Sequence, residues 1–288
     1  MKTQYENRVL SSFLLWFDHT LLDKGEAFTN HSSKYYSVDG GYYGYTAYGA
    51  PFKQFVTDSS VANATVASGA YISGTSPSNF KQTGEYPLAE INYDEGQLYL
   101  SGAIADGAVI SGNYAIKDFN VYLTSKAEQE LLFEDAIKLR PSTAQTETGL
   151  ASNVATYPAI FIKNNGGENV PWAFGGQDAT QTNVRAIVLA NSQFNLDAVC
   201  SIFKDQVHNL VKVLPDNKYP FNALGGLKSG VYNYTGLVSE IQDDVTLKSV
   251  EVSRFSLGYM ENLNNTNSDV FKAIIDFELE GYRFPRAG

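Results

Sequence analysis

Alternating apolar and polar residues dominate the last quarter of the chain. The segment 245–259 (VTLKSVEVSRFSLGY) alternates almost strictly, and the segment 270–284 does so less strictly. This pattern is typical of strands that bury one face and expose the other. Shorter apolar runs at 86–123 are separated by Asp-Glu-Gly, Asp-Gly and Ser-Gly, which predicts an antiparallel meander. We therefore predict a mainly β (α+β) fold with antiparallel sheets or a body like a β-sandwich or barrel.

A helical period replaces this alternation at the N-terminus. Apolar residues recur at helical spacing across 4–23, and Thr3 with Glu6 forms a capping box. The apolar stripe is wider than one core contact needs. Either the helix packs into the β body on two sides, or part of the stripe is a subunit interface. A further amphipathic helix is predicted at 196–208, capped by Asn195.

The remaining pattern gives a provisional division of the chain. We predict an N-terminal helix at 1–25 and a β-rich body at 26–288, with the polar stretch 140–156 as a candidate for a further boundary. Asn-Asn-Gly-Gly at 164–167 predicts a turn, and 231–238 predicts a strand.

Tyrosine and small residues fill the early part of the predicted body. The segment 34–48 predicts two Tyr-rich strands around the turn Asp39-Gly40-Gly41. The segment 57–83 is rich in Ser, Ala, Gly and Thr and predicts a long loop with one or two short strands. A loop of that length in a folded domain indicates a function or a partner that orders it.

Composition and charge exclude several classes of protein. Hydrophobic residues form 43% of the 288 residues, which is incompatible with global disorder. The net charge is −10 and no Lys/Arg cluster occurs, so sequence-specific nucleic-acid binding is not expected. Glu6 and Ser11-Ser12 interrupt the pattern of a secretory leader, and no apolar run is long enough to span a membrane, so we expect neither export nor insertion.

No residue pattern indicates catalysis, a metal or a cofactor. His19, His31 and His208 lie far apart in the sequence, without the close spacing of metal ligands. The sole cysteine, Cys200, lies on the apolar face of a predicted helix, which is typical of a core residue. The acidic pair Asp94-Glu95 lies in a predicted turn. We therefore expect a non-enzymatic protein with no cofactor.

Three stretches together resemble virion structural proteins of tailed bacteriophages. They are 10–30 (LSSFLLWFDHTLLDKGEAFTN), 114–134 (YAIKDFNVYLTSKAEQELLFE) and 270–286 (VFKAIIDFELEGYRFPR). The resemblance is to neck (head-to-tail connector) and tail-terminator (tail-completion) proteins of contractile-tailed phages. It implies a homo-oligomeric ring, six- or twelve-fold, in a virion assembled in the host cytoplasm. The implied neighbours are portal, connector, tail tube or sheath proteins, with DNA passing through the ring.

A ring subunit needs side faces that complement each other, and two aromatic segments and the long loop 57–83 are candidates for its contact surfaces. An acidic channel wall would also let DNA slide without sticking. The candidate interface residues are Phe13, Trp16, Phe17, Leu21, Tyr35, Tyr36, Tyr42, Tyr43 and Tyr45. The alternative function is a carbohydrate- or receptor-binding β-sandwich module, in which Trp172 would stack on a sugar ring.

Overall fold

The structure is a computed structural model that describes residues 3–42, 44–72, 88–102, 104, 108–133, 138–139, 156–222, 227–228, 230–255 and 270–285. The helices in these ranges are α1 (Tyr5–Gly25), α2 (Glu128–Phe133), α3 (Gln193–Lys204) and α4 (Tyr234–Ser239). The strands are β1 (Phe28–Tyr42), β2 (Tyr45–Gly49), β3 (Tyr71–Ile72), β4 (Leu88–Asn92), β5 (Gln97–Leu100), β6 (Ile110–Lys117), β7 (Asn120–Leu123), β8 (Lys138–Leu139), β9 (Thr156–Tyr157), β10 (Ala159–Ala173), β11 (Gln177–Ala190), β12 (Leu210–Lys212), β13 (Asp244–Arg254) and β14 (Phe271–Arg283).

Most of these strands form two sheets, which confirms the mainly β fold with an N-terminal helix. The first sheet has the order β3-β6-β1-β2-β5-β4 and is antiparallel. The second has the order β12-β13-β14-β11-β10-β7 and is mixed, because β7 runs parallel to β10. The short strands β8 and β9 pair with each other.

The predicted meander at 86–123 is wrong beyond its first hairpin. Strands β4 and β5 pair around a turn in which Gly96 has φ +65°, as the glycine signal predicted. However, β6 pairs with β1, and β7 belongs to the second sheet. Apolar runs that are adjacent in sequence therefore lie in different sheets, and periodicity alone carries no information about that choice.

The longest strands of the second sheet, β10, β11 and β14, form a three-stranded ribbon. β10 and β11 are joined at Phe174–Gly176, where Gly175 and Gly176 have positive φ. The turn predicted at 164–167 is wrong, because β10 continues through it with a change of register. A Cβ on Gly167 would lie 2.1 Å from the Gln181 carbonyl oxygen, so glycine is needed there for close strand packing.

The wide apolar stripe of α1 packs into the chain's own core. This is the first of the two alternatives that the sequence left open. Phe13 and Phe17 are fully buried beside Phe203 of α3 and Phe277 of β14, and the Phe17 and Phe203 rings stack with centroids 3.8 Å apart. Further along α1, Leu22 packs in a second cluster with Val56, Val61 and Ala115 from the region of the first sheet.

Several local predictions differ from the structure. The Tyr-rich segment does form a hairpin, but Tyr42 pairs with Tyr45, so Asp39-Gly40-Gly41 lies within β1 at an irregularity and not at the turn. The segment 231–238 forms most of helix α4, capped by Asn233, and not a strand. Helix α3 begins after Ser192, whose side chain accepts a hydrogen bond from Asn195 N, so Asn195 is not its cap.

Some predictions fall partly or wholly outside the described residues. Within the predicted loop 57–83, the described part contains β3 as its only strand. Residues 73–83, the hairpin connection at 262–268 and nearly all of 140–156 are not among the described residues.

Candidate functional site

Aromatic and apolar side chains meet at one end of the ribbon formed by β10, β11 and β14. Val170 is paired with Ala179, and Ala179 is paired with Tyr282, so Val170 and Tyr282 lie on one face of the sheet. Alternation places Trp172 and Phe284 on that same face, and Phe174 occupies the turn. We call this group, Val170, Trp172, Phe174, Tyr282 and Phe284, the aromatic end.

The aromatic end is open to solvent. The Trp172 residue is 63% exposed, Tyr282 is 47% exposed, and Phe174 is fully exposed. The Trp172 and Tyr282 rings contact each other at 5.0 Å between centroids in a tilted arrangement. The exposed fractions correspond to roughly 600 Å² of surface on the four aromatic residues, at the upper end of the range for the largest apolar patch on a monomer. Patches of this kind mark contact sites.

The opposite face of the same ribbon is held by the N-terminal turn of α1. The guanidinium of Arg283 lies over the Tyr5 ring at 4.4 Å, and its Nε donates to Thr180 Oγ1 at 2.7 Å. Asn164 Nδ2 also donates to Glu6 Oε1 at 2.6 Å. The first turn of α1 therefore covers and supports the inner face of the ribbon, and the aromatic end lies on the outer face.

A band of charged residues borders the aromatic end on its own face. Lys248 Nζ lies 2.9 Å from Glu280 Oε1 and 3.7 Å from Glu278 Oε1, and Tyr282 Oη donates to Glu280 Oε2. The hydrogen bond with Lys248 lowers the pKa of Glu280, and the same bond raises the pKa of Lys248. A polar rim around an apolar centre is the usual arrangement of a protein–protein contact surface.

Further along this face, α2 covers the sheet. Arg185 donates to both carboxylate oxygens of Asp276 and to both of Glu128, which fixes the start of α2. Leu131 and Leu132 then bury a small cluster that includes Ile187 and Ile274. Along its length, the outer face of the sheet is thus first covered by α2, then carries the charged band, and ends in the exposed aromatic side chains.

A second feature is a cleft of about 890 Å³, which we call the α1 cleft. It opens between α1, the turn joining β4 to β5, and described residues of 214–222 together with Lys228 and Tyr232. Two buried lysines lie in it. Lys117 Nζ contacts both oxygens of Asp18 at 2.9 and 2.7 Å, and Lys53 Nζ lies 2.8 Å from Glu95 Oε2. The first pair connects α1 to β6 of the first sheet, and the second connects the segment after β2 to the β4–β5 turn.

Asp94, which also lines the α1 cleft, has a raised pKa. Burial of the carboxyl group away from water is the main cause. The nearby Asp18 carboxylate also raises the pKa, whereas Lys117 and Lys53 lower it. The acidic pair Asp94-Glu95, predicted as a solvated turn, therefore lies in a turn that lines a cleft. Sequence reasoning missed the cleft because its walls come from segments far apart in the chain.

A buried hydrogen-bond network surrounds Asp58. The carboxylate accepts from His19 Nδ1 at 2.7 Å, from Ser60 Oγ at 2.6 Å, and from the backbone N–H groups of Ser60 and Tyr234. Burial by itself would raise the pKa of Asp58, but these hydrogen bonds outweigh it and lower the pKa. Ser60 donates to Asp58 and not to His19, so this is not the arrangement of a hydrolytic triad.

The other chemically reactive residues are also part of the scaffold. Cys200 is buried in the core, and burial raises the pKa of its thiol. The His31 ring packs on Phe52 at 4.6 Å, and His208 lies beyond the end of α3 with φ +72°. Among the described residues, no group of three or more His, Cys, Asp or Glu side chains could hold a metal ion. None of the described helices is long and apolar enough to cross a membrane.

The structure separates the residues predicted to form an interface. Phe13, Trp16, Phe17 and Leu21 are buried in the chain's own core, so their side chains offer no surface to a partner. Tyr35 is buried in the first sheet, whereas Tyr36 is half-buried and Tyr45 is exposed. The side chains of Tyr42 and Tyr43 are outside the described set.

Trp172, predicted as a platform for sugars, is exposed as that role requires, but it lies in the aromatic end beside Tyr282. The sequence signal for this surface was the spacing of Val170, Trp172 and Phe174 before Gly-Gly, which places apolar residues at alternate positions. Comparison with known proteins finds no match: no family model and no curated protein sequence is similar to this chain.

Proposed function

We propose that this protein is a non-enzymatic structural subunit that assembles into a ring through the aromatic end of its second sheet. The observation that carries the proposal is the exposed cluster of four aromatic side chains on a supported ribbon. A standard protein–protein contact buries about 800 Å² on each partner, and roughly 600 Å² of aromatic surface would supply most of it. Large aromatic side chains also dominate binding energy at such contacts.

The resemblance of 10–30, 114–134 and 270–286 to phage virion proteins gives the proposed biological setting. In that setting the ring belongs to the neck or tail end of a contractile-tailed bacteriophage, in a virion assembled in the host cytoplasm. Head–tail joining, tail completion or gating of DNA is the corresponding task, with portal, connector, tail tube or sheath proteins as neighbours. The net charge of −10 suits a wall past which DNA slides without binding.

The native mass of the purified chain across a concentration series tests the proposal. We expect a discrete multiple of 31.6 kDa, six- or twelve-fold, and a loss of that species in the variant Trp172→Ala/Phe174→Ala. The matched control is Phe194→Ala, which removes another well exposed aromatic ring, at the start of α3. A chain that stays monomeric at every concentration would count against the ring.

A carbohydrate- or receptor-binding module is the second candidate, because the exposed Trp172 indole could also stack on a sugar ring. Measurements on the same purified protein distinguish the two functions. A monomer that binds glycans saturably, and loses the binding with Trp172→Ala, would favour the module. An assembled ring in which Trp172 is buried would favour the structural subunit.

A further inference from the structure

We propose that the aromatic end of one copy docks into the α1 cleft of the next copy. The contact is then head-to-tail, between two different surfaces of the same chain. This inference rests on the proposed ring and adds the partner surface that the ring requires.

Symmetry is the first step of the argument. A surface that packs against its own equivalent forms a closed pair and goes no further. A ring needs two different surfaces on each subunit that fit each other. The aromatic end is an exposed apolar surface at the tip of a hairpin, and the α1 cleft is a concave surface on the same chain that could receive it.

The edge of β10 does not provide an alternative contact. Beyond Lys163, β10 has β11 on one side and, among the described residues, no strand on the other. An open edge of this kind can recruit a further strand. Here Pro171 lacks an N–H group, and the register of β10 shifts between Asn164 and Gly167, and both features discourage pairing through the edge. The face of the ribbon, with its aromatic rings, is left for the contact.

Part of the lining of the α1 cleft suits an apolar occupant. Leu123, Tyr219 and Phe221 contribute apolar surface to it, and its volume lies within the range of protein binding pockets. Leu123 is 43% exposed, so part of this apolar wall faces solvent. Aromatic side chains that enter a partly apolar pocket release water from both surfaces.

The distribution of charge also supports this contact. Two copies of a chain with net charge −10 repel each other on average, so contact is favoured where the local charge is balanced. Four basic and four acidic side chains line the α1 cleft. The hairpin segment 164–177 carries a single charge, on Glu168. At the rim, the exposed Lys228 donates to the Asp216 carbonyl oxygen and forms no ion pair within the described residues, so it is the cation that suits Glu168.

Disulfide trapping between two single-cysteine variants tests the docking. One chain carries Phe174→Cys in the aromatic end, and a second, differently tagged chain carries Leu123→Cys in the α1 cleft. The natural Cys200 is buried and present in both. The control partner carries Phe194→Cys, which is well exposed and does not line the cleft.

We expect the Phe174→Cys chain to cross-link to the Leu123→Cys chain at least tenfold faster than to the control. Equal rates with the two partners would overturn the docking. Preferential cross-linking of Phe174→Cys chains to each other would overturn it as well, in favour of a contact between equivalent surfaces.

The native mass of the wild-type chain separates failure of this inference from failure of the proposed function. A wild-type multimer without preferential trapping rejects the docking and leaves the ring intact. A wild-type monomer without trapping rejects both. A second pair of variants gives an independent check: Trp172→Ala/Phe174→Ala and Leu123→Glu should each be monomeric, and their mixture should form a 1:1 dimer and nothing larger.

Discussion

Replacing Phe17 with alanine distinguishes a core role of α1 from an interface role. The Phe17 side chain is fully buried, stacks on Phe203 at 3.8 Å, and contacts Phe277 edge-on at 6.0 Å between ring centroids. Truncation of a buried phenylalanine costs about 3–5 kcal/mol, because apolar surface is lost and a cavity remains. The lost aromatic contacts place Phe17 in the upper half of that range.

We therefore expect Phe17→Ala to lower the free energy of unfolding by about 4 kcal/mol. With a urea dependence of about 3 kcal/mol per molar, the unfolding midpoint should fall by more than about 1 M. Urea titration followed by far-ultraviolet circular dichroism measures the shift, at a protein concentration where the chain is monomeric.

The matched control is Phe194→Ala, since Phe194 is 81% exposed and its truncation should change stability by less than about 0.5 kcal/mol. The reasoning would be refuted if Phe17→Ala unfolded like wild type but failed to assemble. In that case the apolar stripe of α1 would be an interface and not part of the core.

Three further substitutions test polar contacts of the scaffold. Asp58→Asn should cost about 2 kcal/mol at neutral pH, since hydrogen bonds to a charged acceptor are lost. Because folding lowers the pKa of Asp58, the ionised carboxylate stabilises the protein at pH values above the pKa of the unfolded state. In urea titrations, the difference in free energy of unfolding between Asp58→Asn and wild type should therefore shrink below about pH 4. Ser192→Ala should cost about 1 kcal/mol by removing the cap of α3, and Asn195→Ala should cost clearly less; equal losses in thermal unfolding would contradict the assigned cap.

The sequence predicted best where a single local period decides the structure. Helix α1 and strands β13 and β14 follow directly from helical or alternating spacing. Turn signals were less reliable. Asn-Asn-Gly-Gly at 164–167 is compatible with a turn or with an irregular strand, and pairing of β10 with β11 beyond it selects the strand. A short apolar segment such as 231–238 has the same ambiguity, resolved here when Asn233 caps α4.

The candidate surfaces could not be predicted from the sequence, because they depend on tertiary contacts that local patterns do not specify. Phe13 and Trp172 belong to the same residue class, yet one is fully buried and the other is 63% exposed. What decides between them is that α1 is enclosed by α3 and the second sheet, whereas the outer face of the ribbon near Trp172 is left uncovered. The α1 cleft likewise exists only once residues as distant as Asp18, Lys117 and Phe221 come together.

The fluorescence of Trp172 tests most directly whether the aromatic end is the assembly surface. The chain has two tryptophans, so Trp16→Phe leaves Trp172 as the only indole. We expect emission typical of an exposed indole at low concentration and a blue shift over the same concentration range in which the native mass rises. Assembly with unchanged Trp172 emission would contradict the proposal, because the aromatic end would then remain in water.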